Sequence, residues 1–470
     1  MEVGQAGAKD RFNALAADIR HHRKQEQKGR PFVILSGLNE PTKRALLARD
    51  FIIQQFPFTM GRFSPRRHFS SVTADLLIAD HRDEPISEHH LSMERRDDRI
   101  ILSDAQSDTG SMVNEQLLGT NAGVTERIEL EKGEHELVLG GSGSPFRFKM
   151  RIITEGKVPI DECHPGFEEH PSPIISLYIR ACHYTQDILI LPDYTARERV
   201  ERALDMVREM SRDQETTDML YCYASHPQTF SDVIVAHSVN VAIYALKLFG
   251  SLSYPVEEIE QICAAALLHD IGLFDIPREI VYKKTKVTEK EYEVLKAHSA
   301  LGHEKLSGIP DEYQFIADLI LDHHERIDGS GYPRGLGKVS ERTEPFGMVD
   351  FFEAVTHNRP QRGPITPHEA MKMMLASGRE GVFSPKALRA FLNAFSLFPA
   401  YSVVKLNSGE IGQVVRTNPN WPLRPMVKIL LGRDGHPLEE KKEVDLLHDD
   451  ILFITGDISD SIFTDTYSEL

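Results

Sequence analysis

The spacing of hydrophobic and polar residues divides the chain into regions with different secondary structure. Across residues 32–152, short apolar runs such as FVILSG and HELVLGG are separated by turn-forming segments. Alternation with a period of two and β-branched residues are typical of strands, and short strands at regular spacing favour a β-sandwich. Residues 1–31 before this region are polar and predict a tail.

A helical pattern follows a segment that is rich in proline and acidic residues. That segment lies within residues 153–195, which predict a linker. Across residues 196–400, apolar residues recur at steps of three and four, the period of an amphipathic helix. The pattern predicts an all-α helical bundle with helices near 196–223, 231–250, 256–270, 288–304, 311–324, 366–377 and 385–396.

The C-terminal residues 401–470 return to strand-like alternation. Turn signals stand at Asn407-Ser408-Gly409 and at Arg433-Asp434-Gly435. A chain of 470 residues is too long for one hydrophobic core. We therefore expect a multidomain α and β protein with an N-terminal β-sandwich, a central helical bundle and a small C-terminal β domain.

Composition and charge limit the partners of this chain. The net charge of -17 argues against a nucleic acid polymer or an anionic membrane as a main partner. The N-terminus lacks the apolar core of a signal peptide, and we see no apolar run long enough to span a bilayer, so a cytoplasmic location is predicted. The four cysteines show no CxxC spacing, which favours reduced, structural thiols.

Candidate chemistry is concentrated in the helical region. The segment HHERIDGSGYP begins with the doublet His323-His324, and the doublet His269-Asp270 lies upstream. His237 and His298 stand on other predicted helices, and Asp350 follows in the segment GMVDFFEAV. Imidazoles and carboxylates are the ligands that divalent metals of borderline softness prefer, and a helical bundle can direct them at one interior point. The pattern therefore predicts a metal-dependent hydrolase.

These motifs, in this order, resemble the HD-GYP family of bacterial cyclic di-GMP phosphodiesterases over about residues 195–400. The resemblance implies hydrolysis of cyclic di-GMP to the linear dinucleotide pGpG, to GMP, or to both. It implies that His269 and Asp270 are catalytic and that Asp270 bridges two metal ions. The implied metal ligands are His237, His269, Asp270, His298, His323, His324 and Asp350.

The resemblance also implies cofactors and a substrate loop. Two divalent ions are expected. Mixed nitrogen and oxygen ligands suit iron, manganese or zinc, and iron or manganese is the expected metal with zinc as the alternative. The implied substrate-binding residues are Gly331, Tyr332, Pro333, Arg359 and Arg362. Glu325 follows the histidine doublet, and it either orients a ligand or caps the turn.

Two positions depart from the family pattern. Leu273 stands where the family usually has a lysine that contacts a substrate phosphate, and Val233 stands where some relatives have a glutamate for a third metal. We therefore expect two metals rather than three. The alternatives are a weakly active or inactive cyclic di-GMP receptor or scaffold, and an HD hydrolase for another nucleotide, against which the Gly-Tyr-Pro segment argues.

Residues 32–152 resemble the forkhead-associated (FHA) domain, a β-sandwich that binds phosphothreonine through its loops. The resemblance rests on Met60-Gly61-Arg62, on Ile86 to His90, and on Asp104 to Asn114. It implies that Arg62 and Ser87 contact the phosphate and that His90 braces the loops.

Within this segment, Asp108 and Thr109 replace the usual hydroxyl residue and asparagine. A carboxylate beside a phosphate pocket is repulsive, so an interaction domain that reads no phosphate is the alternative. The expected partners are cyclic di-GMP and a phosphothreonine protein. A dimer is compatible with the sequence, which does not fix the oligomeric state.

Overall fold

A computed structural model describes most of the region from residue 31 to residue 458. The described residues are 31–39, 42, 51–53, 56–63, 76–79, 86–87, 89–105, 107–119, 125–153, 172–191, 194–225, 233–283, 285–357, 359, 363–398, 402–418, 421–449 and 451–458. The predicted tail and the predicted linker from residue 154 to 171 lie outside them.

The N-terminal region consists of strands arranged in two sheets. The first sheet has the order β2-β1-β11-β10-β7-β8 and the second has the order β4-β3-β5-β6-β9, in which only β3 and β4 pair in parallel. The strands are β1 Phe32–Gly37, β2 Phe51–Ile53, β3 Phe58–Phe63, β4 Leu76–Ala79, β5 Leu91–Arg96, β6 Arg99–Asp104, β7 Ser111–Val113, β8 Gln116–Leu118, β9 Arg127–Leu130, β10 Gly133–Leu139 and β11 Phe146–Ile153.

Both sheets contribute side chains to one hydrophobic core. Phe148 and Met150 of β11 alternate with more exposed residues and point into the core from the first sheet. Met60 of β3 and Leu102 of β6 enter the same core from the second sheet. The predicted N-terminal β region is therefore confirmed. The sequence pattern predicts it correctly because alternate residues of a strand lie on opposite faces of its sheet.

The central region is helical, as predicted, with boundaries that differ from the sequence pattern. The helices are α1 Pro173–Ile190, α2 Ala196–Met210, α3 Gln214–Ala224, α4 Val233–Gly250, α5 Val256–Leu268, α6 Arg278–Val281, α7 Glu289–Lys296, α8 His298–Lys305, α9 Gln314–Asp322, α10 Thr343–Thr356, α11 Pro367–Arg379 and α12 Pro385–Phe395. Two predicted helices are each divided in two. Asp213 caps the start of α3 by accepting a hydrogen bond from Thr216 N–H, and Ala297 separates α7 from α8.

Helix α1 lies inside the segment for which the sequence predicts a linker. Its buried residues include Ile174, Leu177, Tyr178 and Ala181, and they belong to the same core as the helices that follow. These residues recur at steps of three and four, so the helical pattern begins about twenty residues earlier than predicted. The helical domain therefore starts at α1 rather than at residue 196.

Helix α4 lies at the centre of the bundle. Of the described helices, it is the one long and apolar enough to cross a membrane by length and composition, and 78% of that span is buried inside the protein. Its neighbours surround it, so apolar residues occupy nearly all of its faces. The helix also carries the polar residues His237 and Asn240, both of which are buried.

The C-terminal region is a five-stranded antiparallel sheet with the order β15-β14-β13-β12-β16. Val404, Val414, Val427 and Ile429 form most of its small core. The strands are β12 Val403–Leu406, β13 Ile411–Arg416, β14 Met426–Leu431, β15 Pro437–Asp445 and β16 Ile454–Ile458. The predicted small C-terminal β domain is confirmed.

Candidate metal centre

Helix ends carry most of the candidate ligands. His269 and Asp270 directly follow α5, His323 and His324 directly follow α9, and His298 is the first residue of α8. His237 and Asp350 lie within helices α4 and α10. The bundle brings all seven of these residues to one place. The helix ends supply five of the seven side chains, and the two interior helices close the site.

One group of donors consists of His237, His269 and Asp270. The Nε2 atoms of His237 and His269 are 3.2 Å apart. Asp270 Oδ2 lies 3.7 Å from His237 Nε2 and 3.5 Å from His269 Nε2. All three residues are buried, and the ligand atoms are close enough to one another to hold one metal ion.

The second group consists of His298, His323 and His324. The Nε2 atoms of His298 and His323 are 3.2 Å apart. The rings of His323 and His324 are 4.0 Å apart between centroids. One ligand atom from each of the three residues lies within 4.8 Å of the others, so this group could hold a second ion.

Two carboxylates span the groups. Asp270 presents Oδ2 to the first group, while its Oδ1 lies 3.4 Å from His298 Nε2. Asp350 presents Oδ1 to His237 Nε2 at 3.1 Å, while its Oδ2 lies 3.6 Å from His324 Nδ1. The bridging position was expected for Asp270 alone. The structure places Asp350 in a similar position on the other side.

The protonation of the histidines suits metal binding. The Nδ1 atoms of His269, His298 and His323 lie 2.8, 2.7 and 2.6 Å from the carbonyl oxygens three residues earlier, those of Ala266, Leu295 and Ile320. A carbonyl oxygen can only accept, so each Nδ1 carries the proton and each Nε2 is left with a lone pair.

Lone pairs of different rings therefore face one another in this site. When both rings are neutral, the Nε2 atoms of His298 and His323 are both acceptors at 3.2 Å, an arrangement that is repulsive unless a cation lies between or beside them. The donor set thus fits divalent metal ions on the evidence of its own hydrogen bonds.

The pKa values agree with this protonation pattern. Burial lowers the pKa of His323 to about 3, and burial also holds the pKa of His324 well below its usual range. Burial acts to raise the pKa of Asp350, but the neighbouring histidines outweigh it and hold that pKa well below its usual value. The two histidines are therefore neutral and the carboxylate is charged near neutral pH.

His237 is different, because it faces a third carboxylate that the sequence did not single out. Its Nδ1 forms a short hydrogen bond with Glu353 Oε2, and Asn240 Nδ2 donates to Glu353 Oε1 at 2.9 Å. Burial and the charge of Arg359 lower the pKa of His237, yet Glu353 and Asp350 together raise it to about 9. Glu353 lies one helical turn after Asp350, which is the only sequence signal that could have found it.

The Gly-Tyr-Pro segment forms a loop beside the second group. The ring of Tyr332 packs on His324, with centroids 4.5 Å apart. A Cβ atom at Gly331 would collide with the backbone of Glu325 and Arg326, so the close approach that glycine permits here is to the chain itself. Pro333 follows Tyr332 through a cis peptide bond.

The hydrogen bonds of Glu325 distinguish between its two expected roles, orienting a ligand and capping the turn. Its Oε1 accepts a hydrogen bond from Arg334 N–H at 2.6 Å, and its Oε2 accepts one from Leu336 N–H at 2.8 Å. Arg334 also forms an ion pair with Asp322, at the end of α9. Glu325 therefore caps and holds the loop, and its two oxygens are not directed at a metal ligand.

The remaining predicted positions have mixed outcomes. Arg359 lies 3.8 Å from Glu353 Oε2 through its Nη2 atom, close to the first group. Arg362 lies outside the described residues. Leu273 is partly buried and packs against two apolar clusters. Val233 is the first residue of α4, one turn before His237, and is also partly buried.

The N-terminal region places its candidate phosphate-binding residues together. Arg62 N–H donates to Ser87 O at 2.9 Å, and Arg62 Nε is buried without a hydrogen-bond partner among the described residues. His90 accepts from Ser87 N–H through Nδ1 at 3.1 Å and contacts Gly110 O through Nε2 at 2.9 Å, so it ties the loops together. Ser87 Oγ, however, donates to Asp108 Oδ2 at 3.2 Å and accepts from Asp108 N–H at 2.9 Å.

Comparison with protein families assigns the helical region. Residues 224–386 match the family model described as HD domain. The matched residues lie within the central helical region. Residues 403–462 match a second model, described as KOW domain associated with HD domain, which covers the five-stranded C-terminal sheet.

Relatives of the HD domain carry names that specify cyclic dinucleotides. The chain is 31% identical over 221 residues to "Cyclic di-GMP phosphodiesterase PA4108" of Pseudomonas aeruginosa, covering 47% of this chain and 53% of the relative. It is 28% identical over 205 residues to "Cyclic di-GMP phosphodiesterase PdeB" of Borreliella burgdorferi, covering 43% and 54%. It is 34% identical over 140 residues to "3'3'-cGAMP-specific phosphodiesterase 1" of Vibrio cholerae, covering 29% and 32%. The match spans about half the length of the first two relatives and a third of the last.

Two solved structures resemble parts of the chain only distantly. The HDG"Y"P protein Bd1817 from Bdellovibrio bacteriovorus is 14% identical with a TM-score of 0.40, over 63% of this chain and 98% of that protein. The structure titled "Rv0020c_FHA Structure" is 16% identical with a TM-score of 0.18, over 26% of this chain and 94% of that protein. The FHA assignment stays a prediction.

Proposed function

We propose that this protein is an HD-GYP phosphodiesterase that hydrolyses cyclic di-GMP to pGpG, GMP or both. The observation that supports this most directly is the pair of donor groups spanned by the carboxylates of Asp270 and Asp350. The names of the relatives support the substrate. The Gly-Tyr-Pro loop beside the second donor group is consistent with both the proposed activity and the proposed substrate.

The proposed ligands are the seven residues of the two groups and their bridging carboxylates. His237 and His269 would hold one ion, His298, His323 and His324 the other, and Asp270 and Asp350 would contact both. When bound, two divalent ions would activate water and neutralise charge on the phosphate. The mixed ligands suit iron, manganese or zinc; we propose iron or manganese, with zinc as the alternative.

The other residues would bind and orient the substrate. The guanidinium of Arg359 lies beside the first group and suits a phosphate oxygen, because a guanidinium offers paired N–H donors. Tyr332, whose ring packs on His324, would form the wall of the substrate site on the side of the second group. Gly331 and Pro333 would hold that wall in place, and we retain Arg362 as a further phosphate contact.

A different cyclic dinucleotide is the second candidate substrate, because one relative is named as specific for 3'3'-cGAMP. The two substrates share both phosphodiester bonds and differ in one base, so the metal groups would serve either. Residues that contact the bases would decide between them.

The N-terminal β region is proposed to be a protein-interaction domain. The Nε of Arg62 has no hydrogen-bond partner within the part of the chain that the structure describes, which favours an anionic partner, and phosphothreonine is the ligand that the FHA resemblance implies. The hydroxyl of Ser87 is already engaged by Asp108, which opposes that assignment. The cytoplasmic location stays a prediction.

The proposed activity can be tested with the purified protein. Metal-depleted protein would be loaded with manganese, or with iron without oxygen, and incubated separately with cyclic di-GMP and 3'3'-cGAMP. Chromatography should show pGpG or GMP appearing at the expense of cyclic di-GMP, and the Asp270→Ala variant should form neither. Binding of nucleotide without hydrolysis by the metal-loaded protein would instead establish the receptor alternative.

A further inference from the structure

A chain of buried hydrogen bonds links the first donor group to helix α1. Tyr178 Oη donates to Asn240 Oδ1 at 2.8 Å, and Asn240 Nδ2 donates to Glu353 Oε1 at 2.9 Å. Glu353 Oε2 then bonds to Nδ1 of His237. Tyr178, Asn240, Glu353 and His237 are only 2%, 1%, 1% and 3% exposed, so water cannot replace any of these bonds.

The direction of each bond in this chain is fixed by chemistry. The charged carboxylate of Glu353 can only accept, so Asn240 must turn its N–H₂ toward Glu353 and its oxygen toward the tyrosine hydroxyl. For the same reason His237 donates to Glu353 through Nδ1 when it is neutral. Its Nε2 lone pair then faces Asp270, Asp350 and His269.

Glu353 therefore accepts the Nδ1 hydrogen bond of His237, as backbone carbonyls accept the Nδ1 hydrogen bonds of His269, His298 and His323. His269, His298 and His323 each bond a carbonyl three residues back through Nδ1, whereas Nδ1 of His237, on helix α4, bonds to the carboxylate of Glu353. A carboxylate is a stronger acceptor than a carbonyl, and it also lies 3.8 Å from Arg359 Nη2. One buried side chain thus contacts both a proposed metal ligand and a proposed phosphate-binding residue.

We propose that Glu353, held in place by Asn240 and Tyr178, is a positioning residue that fixes His237 for metal binding and Arg359 for substrate binding. Tyr178 lies on α1, outside residues 224–386 that match the HD domain, so the metal-binding unit includes the helix before that domain. The part of the inference that concerns Arg359 rests on the proposed phosphodiesterase function. The part that concerns His237 rests only on metal binding.

Two variants test this series of hydrogen bonds, one at Glu353 and one at its far end, Tyr178. Glu353→Gln preserves the size of the side chain but removes its charge and places an amide N–H₂ against a neighbouring donor. Partners of metal-bound histidines usually contribute about 10- to 100-fold in metal affinity, and we expect a loss of that size for one of the two ions. Tyr178→Phe removes a single neutral hydrogen bond, for which about a 2- to 10-fold loss is expected.

The measurement is manganese binding by metal-depleted protein, followed by titration and by elemental analysis. Tyr221→Phe is the matched control. Tyr221 is a buried tyrosine on α3 whose ring packs on Tyr244 and Phe395, and it is not part of the hydrogen bonds that link Tyr178, Asn240 and Glu353. Thermal melting without metal shows whether each variant is folded. Tyr178→Phe keeps the shape of the side chain, so it tests the inference even if Glu353→Gln does not fold.

The inference and the proposed function fail in different ways. Wild-type manganese affinity in both folded variants overturns the positioning role, whatever the enzyme does. Weaker manganese binding in Glu353→Gln and Tyr178→Phe, but not in Tyr221→Phe, supports it even if the wild type hydrolyses nothing. If the wild type is active, Glu353→Gln at saturating manganese should also show a raised KM, and an unchanged KM would overturn the link to Arg359.

Discussion

The loop that carries Gly331, Tyr332 and Pro333 should loosen when Glu325 loses its charge. Glu325 is buried, and its two oxygens accept hydrogen bonds from the backbone N–H groups of Arg334 and Leu336. In Glu325→Gln one oxygen remains an acceptor, while the other is replaced by an N–H₂ group that faces a backbone donor. The variant therefore loses one bond and leaves one buried N–H without a partner.

The size of this effect follows from the charge of the acceptor. A hydrogen bond to a charged group contributes about 1.5–3 kcal/mol, and an unsatisfied buried donor costs a similar amount. Loss of one such bond should lower the free energy of local opening by about 1.5–3 kcal/mol, which corresponds to about a 10- to 150-fold larger equilibrium population of the open loop.

Hydrogen–deuterium exchange of the backbone amides of Arg334 and Leu336 measures this opening directly. Exchange of at least one of them should accelerate by that factor, while amides in the core of α4 should be unchanged. Glu341→Gln is the control, because Glu341 pairs with Lys386 on the surface, where both side chains are more than two-thirds exposed. Unaltered exchange at both loop amides in Glu325→Gln would refute the capping role.

Four further predictions follow from the same structure. Asp270→Ala should lose at least one of about two bound metals by elemental analysis, because the carboxylate contacts both donor groups; full occupancy would show that the assigned site is wrong. The metal-free protein should lose stability as the pH falls from 6.5 to 5, by up to about 1.4 kcal/mol per pH unit for each such histidine, because the folded pKa of His323 is lowered to about 3 and the unfolded chain takes up the proton first. The pKa of His237, raised to about 9, acts in the opposite sense: its contribution is complete below 6.5 and is lost as the pH rises through 9, so urea denaturation between pH 5 and 9 should show maximal stability in the middle of the range. Leu273→Lys should lower the melting temperature rather than raise turnover, because Leu273 packs against two apolar clusters; a stable variant with faster hydrolysis would show that the side chain faces the substrate. If the N-terminal region reads phosphate, a phosphothreonine peptide should bind more tightly than its unphosphorylated form and Arg62→Ala should abolish the difference, which titration calorimetry would detect.

The candidate ligand residues can be predicted from the sequence because they occur as local motifs. In His269-Asp270 and His323-His324, the peptide bond itself guarantees that two donors are adjacent, and each doublet ends an apolar helix that must pack into the bundle. The strand pattern of the two β regions was equally local, since alternation with a period of two depends only on which face of a sheet is buried. The order and type of the domains follow from these signals.

Helix boundaries required the tertiary structure. Helix α10 carries Asp350 and Glu353, but its residues are buried on nearly all sides, so it shows no contrast between an apolar and a polar face. Helix α1 adjoins a segment rich in proline and acidic residues, and its own apolar spacing was interpreted as part of a linker. In both cases the surrounding helices, rather than the local pattern, determine what is buried.

The hydrogen-bond partners of the candidate metal ligands also depend on the tertiary structure. Tyr178, Asn240 and Glu353 are isolated polar residues on three different helices, and nothing in the spacing between them indicates contact. The second spanning carboxylate, Asp350, was recognised as a ligand but not as a bridge, because the separation of its two oxygens from the two donor groups is set by how α10 packs against α4. The sequence determined which side chains can bind metal, since that depends on their chemistry and on short-range order. Only the packed bundle decided which of these side chains are neutral, which carboxylates span both donor groups and which histidine is hydrogen-bonded to a neighbouring side chain. Those properties arise from burial and from contacts between residues far apart in the chain.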